Sequence, residues 1–409
     1  MQAALNRAQS AVTRRWNRDH TYVRIDVAET AIHVTIFSEV MVLRQAIAGK
    51  IESYGSVLLQ YYDLFQALKQ CKRETLEFAS TIDGYWLLCG DVHLRLEAVL
   101  QPNFVLLSSY EWSHYEQQSP LVTEHINFSL DLIQLRDALQ GVMHAAADTD
   151  WIGGEKLNCV LFHLCFPTLT VVASDWSVLS LASLPFPVDY AGPRDNMGRW
   201  RELELLLSLP AVRILFQAFP SQRKAGTDNR LRVQGTVIRR EGEASVVFGL
   251  LAFRIPSLGR EMAARLEEGP YMNYLSLLAA DPQTRMRVPT KDVIRALKII
   301  SATSGFSSTF HLEPAYHRLT IIGKDLQTQE ETTPEVINAI EAEGQEVKFY
   351  LWTSHILDIF ASFKTPSAVI ECSPVPKHSV MITSDESHGG VIFLHLEMPH
   401  RPAVNAQED

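Results

Sequence analysis

Thr290-Lys291-Asp292-Val293-Ile294-Arg295-Ala296-Leu297-Lys298-Ile299-Ile300 reads as an amphipathic helix, and the order of elements after it recurs along the chain. Lys291, Arg295 and Lys298 fall at i, i+4 and i+7, on one face of that helix. Strand-like alternation follows at 309–312 and 319–322, then a second helix at 353–363 and more strands over 368–398. Working backwards, 130–146 opens another copy: a helix, strands at 159–164 and 169–173, and a second helix near 199–207. The first copy has a helix over 3–15 and strands at 23–27 and 32–36. A helical stripe over 55–69 (Leu58, Tyr62, Phe65, Leu68) follows, then strands at 76–78, 86–88 and 92–96, with Asp83-Gly84 as a hairpin turn.

The copies recur every ~130–150 residues, and repetition of this kind decides the architecture. Helices and strands without sequential βαβ spacing predict an α+β fold of three tandem domains, each with antiparallel sheets and two helices. The expected boundaries are 1–122, 123–273 with an insertion near 220–242, 274–402, and a loose acidic tail at 403–409. Three such domains form an arc, which a second copy would close.

Composition narrows the function. The 409 residues carry a net charge of −10, which excludes a protein that coats DNA through bulk charge. Any nucleic-acid contact must therefore use a local basic surface. Apolar residues make up 46% and charged residues 21%, as in a folded soluble chain. No apolar run reaches the ~18–20 residues that span a bilayer, and no secretory h-region opens the sequence. The expected location is the cytoplasm, with no membrane partner. The four arginines and absent acids of the first 18 residues suit a surface helix, although that composition also permits a transit peptide. Cys71, Cys89, Cys159, Cys165 and Cys372 show neither CxxC pairing nor ligand spacing, as expected of reduced thiols.

No catalytic constellation stands out. The chain lacks G-x-S-x-G, P-loop, G-x-G-x-x-G and H-E-x-x-H patterns, and its fourteen histidines are dispersed. His388-Gly389-Gly390 reads as a turn rather than an oxyanion loop. The expectation is a non-enzyme without cofactor or metal.

Basic residues recur on the helices. Arg7, Arg14 and Arg18 sit at i, i+7 and i+11 of the first, and Lys69, Lys72 and Arg73 close the second. Arg194, Arg199 and Arg201 lie near the second helix of the middle copy. Any one of these residues equally suits a solvated helix face, or a cation favoured at a helix C-terminus. Recurrence across the copies is what favours DNA.

Two stretches resemble the bacterial DNA polymerase III beta subunit (sliding clamp) family. Arg265-Leu266-Glu267-Glu268-Gly269-Pro270-Tyr271-Met272-Asn273-Tyr274 is similar to its link between domains two and three, R-L-I-E-G-x-[YF]-P-[ND]-Y. Trp352-Thr353-Ser354-His355-Ile356-Leu357-Asp358-Ile359-Phe360 resembles its Y-[VL]-L-D-[AV]-L helix, and Leu396-Glu397-Met398-Pro399-His400-Arg401 its terminal V-M-P-M-R-L. Val99-Leu100-Gln101-Pro102-Asn103-Phe104 stands where clamps carry P-x-x-[DE]-F-P. The chain departs from the pattern at Ser174-Asp175-Trp176-Ser177-Val178-Leu179, where many clamps have T-D-G-H-R-L, and at His355, where tyrosine is common. The opening strand before the first helix looks missing or shortened.

The resemblance implies a ring that encircles double-stranded DNA without sequence preference, with the basic helices facing the channel. It implies polymerase and other clamp-binding partners, a clamp loader and a homodimer closed head to tail. Carried over by position, the partner-peptide cleft comprises Ser174, Trp176, Val178, Leu179, His355, Val380, Met398 and Pro399, with Arg401 at its rim. Leu179 and Val380 equally suit strand core. Leu94 and Leu96 on one side, and Ile299 and Ile300 on the other, match dimer-interface positions, with intradomain core as the bland reading. The alternative is a clamp-fold scaffold or regulator that does not encircle DNA.

Overall fold

The computed structural model describes residues 5–6, 21–38, 41–71, 77–82, 84–89, 92–99, 121–147, 156–218, 229–240, 243–278, 282–303, 307–325, 328, 330–373, 379–385 and 392–397. It divides into two compact units, Met1–Ile133 with Pro187–Gly269, and Gln134–Phe186 with Pro270–Asp409.

In the first unit an antiparallel sheet runs in the order Gly55–Gln60, Tyr22–Val27, Ile32–Phe37, Met41–Ile47, Arg260–Glu267, Val246–Ile255, Arg230–Arg240, Leu121–Asp131. Alternation sets its faces: Val23 and Ile25 are buried while Arg24 points outward. A three-stranded meander of Glu77–Thr81, Gly84–Cys89 and Val92–Leu96 forms a second sheet. Helix α1 (Tyr61–Gln70) buries Tyr61, Leu64, Phe65 and Leu68.

In the second unit the order is Glu341–Glu343, Thr284–Pro289, Ser367–Cys372, Val380–Ser384, Ile392–Glu397, Val178–Pro185, Thr168–Ser174, Cys159–Cys165. A four-stranded sheet joins Glu335–Asn338, Arg318–Lys324, Ser307–Glu313 and Val347–Trp352. Helix α2 (Leu132–Val142) begins at the boundary of the units, and helix α3 (Leu209–Ala218) belongs to the first. Helix α4 (Thr290–Thr303) packs against helix α5 (Thr353–Ser362). Val293, Ala296, Leu297 and Ile300, spaced at i, i+3, i+4 and i+7, form the buried face of α4.

Three sequence expectations change. Residues 55–69 are not one helix: Gly55–Gln60 pairs with Tyr22–Val27, and α1 starts only at Tyr61. The helix expected near 199–207 lies at 209–218, because the leucine-rich segment Leu203–Ser208 is a largely buried strand. A short apolar run carries no period that separates the two states. The later repeats open on strands, Leu121–Asp131 before α2 and Thr284–Pro289 before α4, rather than on helices. Residues 230–240, at the end of the stretch read as an insertion, form a strand paired on both sides, with a register shift between Ile238 and Arg239. The first helix is described only at Leu5 and Asn6; the Tyr61 hydroxyl donates to the Leu5 carbonyl at 2.7 Å. Asp83 lies outside the described residues.

Candidate partner-peptide wall and basic helix faces

The turn between strands Thr168–Ser174 and Val178–Pro185 is built by two short polar side chains. Asp175 Oδ1 accepts from the Ser177 and Val178 amides at 2.8 Å each. Ser174 Oγ accepts from the Trp176 amide at 3.2 Å and donates to the Val178 carbonyl at 2.8 Å. Side chains that satisfy nearby backbone in this way define tight turns. The turn holds Trp176 at φ 77°, a left-handed conformation, and leaves the residue 46% exposed. Glycine is the residue that adopts such a φ freely.

Beyond the turn, Val178 and Leu179 are buried and pair with Glu397 and Leu396 of the last described strand. Val380 pairs with Glu397 from the other side and is also buried. His355, in the first turn of α5, is half-buried. Of the residues expected to line the cleft, Ser174, Val178, Leu179 and Val380 therefore sit in the interior, and Trp176 and His355 reach the surface. Met398, Pro399 and Arg401 lie outside the described residues.

Two histidines meet behind this wall, and a third, His355, acts on one of them through its charge. His395, fully buried, stands directly across the strand pair from Ser180, with Nδ1 at 2.7 Å from Ser180 Oγ. His144, in the turn after α2, places Nε2 at 3.3 Å from the same oxygen. The two rings lie 5.5 Å apart. Burial first, then the charge of His355, pushes the His144 imidazole down to about 4, against an opposing pull from Asp175. Burial, with His144 second, holds His395 well below the usual histidine range. Burial raises the Asp358 carboxyl while His355 opposes it. Sequence reasoning missed this cluster because Ser180 and His395 are 215 residues apart, a separation that leaves no spacing signal.

On α4, Lys291, Arg295 and Lys298 are all exposed and lie opposite the buried stripe. Asp292 approaches Arg295 at 3.7 Å. Lys69 at the end of α1 is exposed, its ammonium 4.5 Å from the Phe65 ring centroid. Arg199 and Arg201 are not on a helix. Arg199 pairs with Asp195 at 2.8 Å, and Arg201 comes within 3.9 Å of Glu124, in the loop before strand Leu203–Ser208. Arg7, Arg14, Arg18, Lys72 and Arg73 lie outside the described residues. Ile300 and Leu96 are buried, whereas Ile299 is 45% exposed and Leu94 half-buried. No described helix is long and apolar enough to cross a membrane.

No sequence family model matches the chain, and no curated relative does. Solved structures do. The DNA polymerase III beta subunit of Thermotoga maritima superposes with a TM-score of 0.73 at 16% identity, over 98% of this chain and 97% of that one. The Bacillus subtilis sliding clamp gives 0.71 at 14%, covering 98% and 96%. The Helicobacter pylori beta clamp, in complex with carprofen, gives 0.73 at 13%, covering 98% and 97%. The chain has the sliding-clamp fold.

Proposed function

We propose that this chain works as a sliding clamp without catalytic activity. Two copies would close head to tail around duplex DNA, each contributing three domains at about the expected boundaries. Polymerases and other partners would dock by short peptides beside Trp176 and His355, and a loader would open the ring. The observation that carries this reading is the clamp fold over 98% of the chain. The exposed Lys291, Arg295 and Lys298 face of α4, in a protein of net charge −10, supports it. A clamp holds DNA by topology and needs only weak phosphate contacts that carry no sequence information. Lys69 on α1 fits the same role, and so would Arg7, Arg14, Arg18, Lys72 and Arg73. Arg199 and Arg201, already engaged with acids in a loop, fit it less well. Ile299 and Leu94 are the interface positions with solvent access, and cytoplasmic DNA is the expected setting.

The test is retention on nicked circular DNA, with a loader and raised salt, before and after linearisation, alongside solution mass. A dimer kept on circles and lost from cut ends supports the reading. A monomer with no topological retention overturns it in favour of a clamp-fold scaffold that does not encircle DNA.

A further inference from the structure

We propose that the seam between strands Val178–Pro185 and Ile392–Glu397 is a proton-sensitive wall of the partner-peptide site, held shut by a one-way hydrogen-bond chain through His144, Ser180, His395 and Ser362. The inference deepens the clamp reading by giving its peptide site a regulation.

The polarity of the chain follows from its far end. Ser362 Oγ donates to the Ile359 carbonyl at 2.7 Å, so its proton is committed. It must therefore accept at its other contact, from His395 Nε2 at 3.5 Å. His395 then carries its proton on Nε2, and its bare Nδ1 accepts the Ser180 hydroxyl proton at 2.7 Å. With that proton used, Ser180 Oγ accepts from His144 Nε2 at 3.3 Å. Each link fixes the next, and every imidazole is neutral.

A second proton on His395 breaks this order. Nδ1–H could donate to Ser180 Oγ only if that hydroxyl turned its own proton away from its present acceptor, and the new charge would lie in the interior with the His144 ring 5.5 Å away. The aromatic rings of Phe363 and Phe393 pack on His395, with centroids at 5.2 Å and 6.4 Å, and supply no counter-charge. The surrounding charged groups offer little relief. Arg136 and Asp137 come from α2, and Asp137 already pairs with Lys364 beyond α5. Asp175 comes from the turn, and α5 brings His355 and Asp358. Strands Thr168–Ser174 and Val380–Ser384 bring no ionisable side chain. The same two paired strands carry Val178 and Leu179 opposite Glu397 and Leu396, so release of the chain loosens the wall beside Trp176.

Because the closed-state imidazoles titrate below the usual 6.5, the opened state takes up protons first. The seam is fully held above that value and is lost progressively as pH falls towards about 4. From about pH 7.5 to about pH 5, His144 alone shifts the opening equilibrium roughly 30-fold.

Amide hydrogen exchange of the wild-type protein, corrected for intrinsic rates, reads this directly. The expected result is a fall of roughly 30-fold or more in protection of Ile392–Glu397 and Val178–Pro185 over that range, with Ser307–Glu313 as the unaffected control. Equal protection at both pH values overturns the inference. In parallel, anisotropy of a fluorescein-labelled short peptide with apolar anchors should show affinity falling over the same range; His144→Gln should make both curves shallower, and His144→Gln with His395→Gln should flatten them. Affinity that stays constant while the seam opens overturns the link to the site. Absence of peptide binding at every pH overturns the docking reading instead, and exchange still decides whether the seam responds to protons.

Discussion

At Trp176 a bulky side chain occupies a backbone conformation, φ 77°, that suits glycine. Left-handed backbone costs a non-glycine residue roughly 1–2 kcal/mol, and the Ser174 and Asp175 hydrogen bonds hold it there. Trp176→Gly should therefore raise stability by about 1 kcal/mol in urea unfolding while changing affinity for partner peptides, since the half-exposed indole is removed. Arg239 makes the opposite case. Its guanidinium is 2% exposed and grips Glu124 through two parallel hydrogen bonds, while Nη1 donates to the Glu243 carbonyl at 2.9 Å. Arg239→Met takes two hydrogen bonds from a largely buried carboxylate, leaving it only the more distant Arg201 at 3.9 Å, and should cost about 2–3 kcal/mol. The pair Arg239→Met with Glu124→Gln should recover much of that loss, which a denaturation cycle on the four proteins measures. Neither residue's environment is legible in sequence: Arg239 reads as one of a basic run, and its partner lies 115 positions away.

Among the elements, helix α2 and the last described strand approach at Gly141. A Cβ there would meet the Phe393 ring at 2.1 Å, so this helix needs a glycine for close approach rather than for φ. Gly141→Ala should cost about 1–3 kcal/mol despite the better helix propensity of alanine, read as a lowered Tm. The amphipathic helices with uninterrupted stripes, α4 and α5, were legible because their buried positions follow one period. Leu203–Ser208 was not, since a short leucine-rich segment suits either state and pairing with Arg260–Glu267 decided it. The Ser174–Leu179 turn was legible as a departure from the clamp pattern. Its geometry was not, because no propensity places tryptophan at positive φ.

For the whole molecule, the sharpest expectation concerns α4. Reversing its exposed charge (Lys291→Glu, Arg295→Glu and Lys298→Glu together) should reduce the salt-dependence slope of DNA association by about 3 per subunit, at roughly 0.9 for each phosphate no longer neutralised. Chain folding should be preserved, because all three point to solvent. An unchanged slope would remove this face from the proposed DNA track. The threefold repetition was readable along the sequence; how the repeats share strands was not. Met41–Ile47 pairs with Arg260–Glu267, and Val178–Pro185 with Ile392–Glu397, so each large sheet is completed by strands from two different repeats. Anyone dissecting this protein therefore meets a mismatch between period and part. A fragment ending at 122 leaves Met41–Ile47 as a raw edge, and one starting at 274 does the same to Ile392–Glu397; bare edges of this kind recruit other chains. The periodic segments are units of description, and the pieces that stand alone would have to be stitched from separate stretches of the chain.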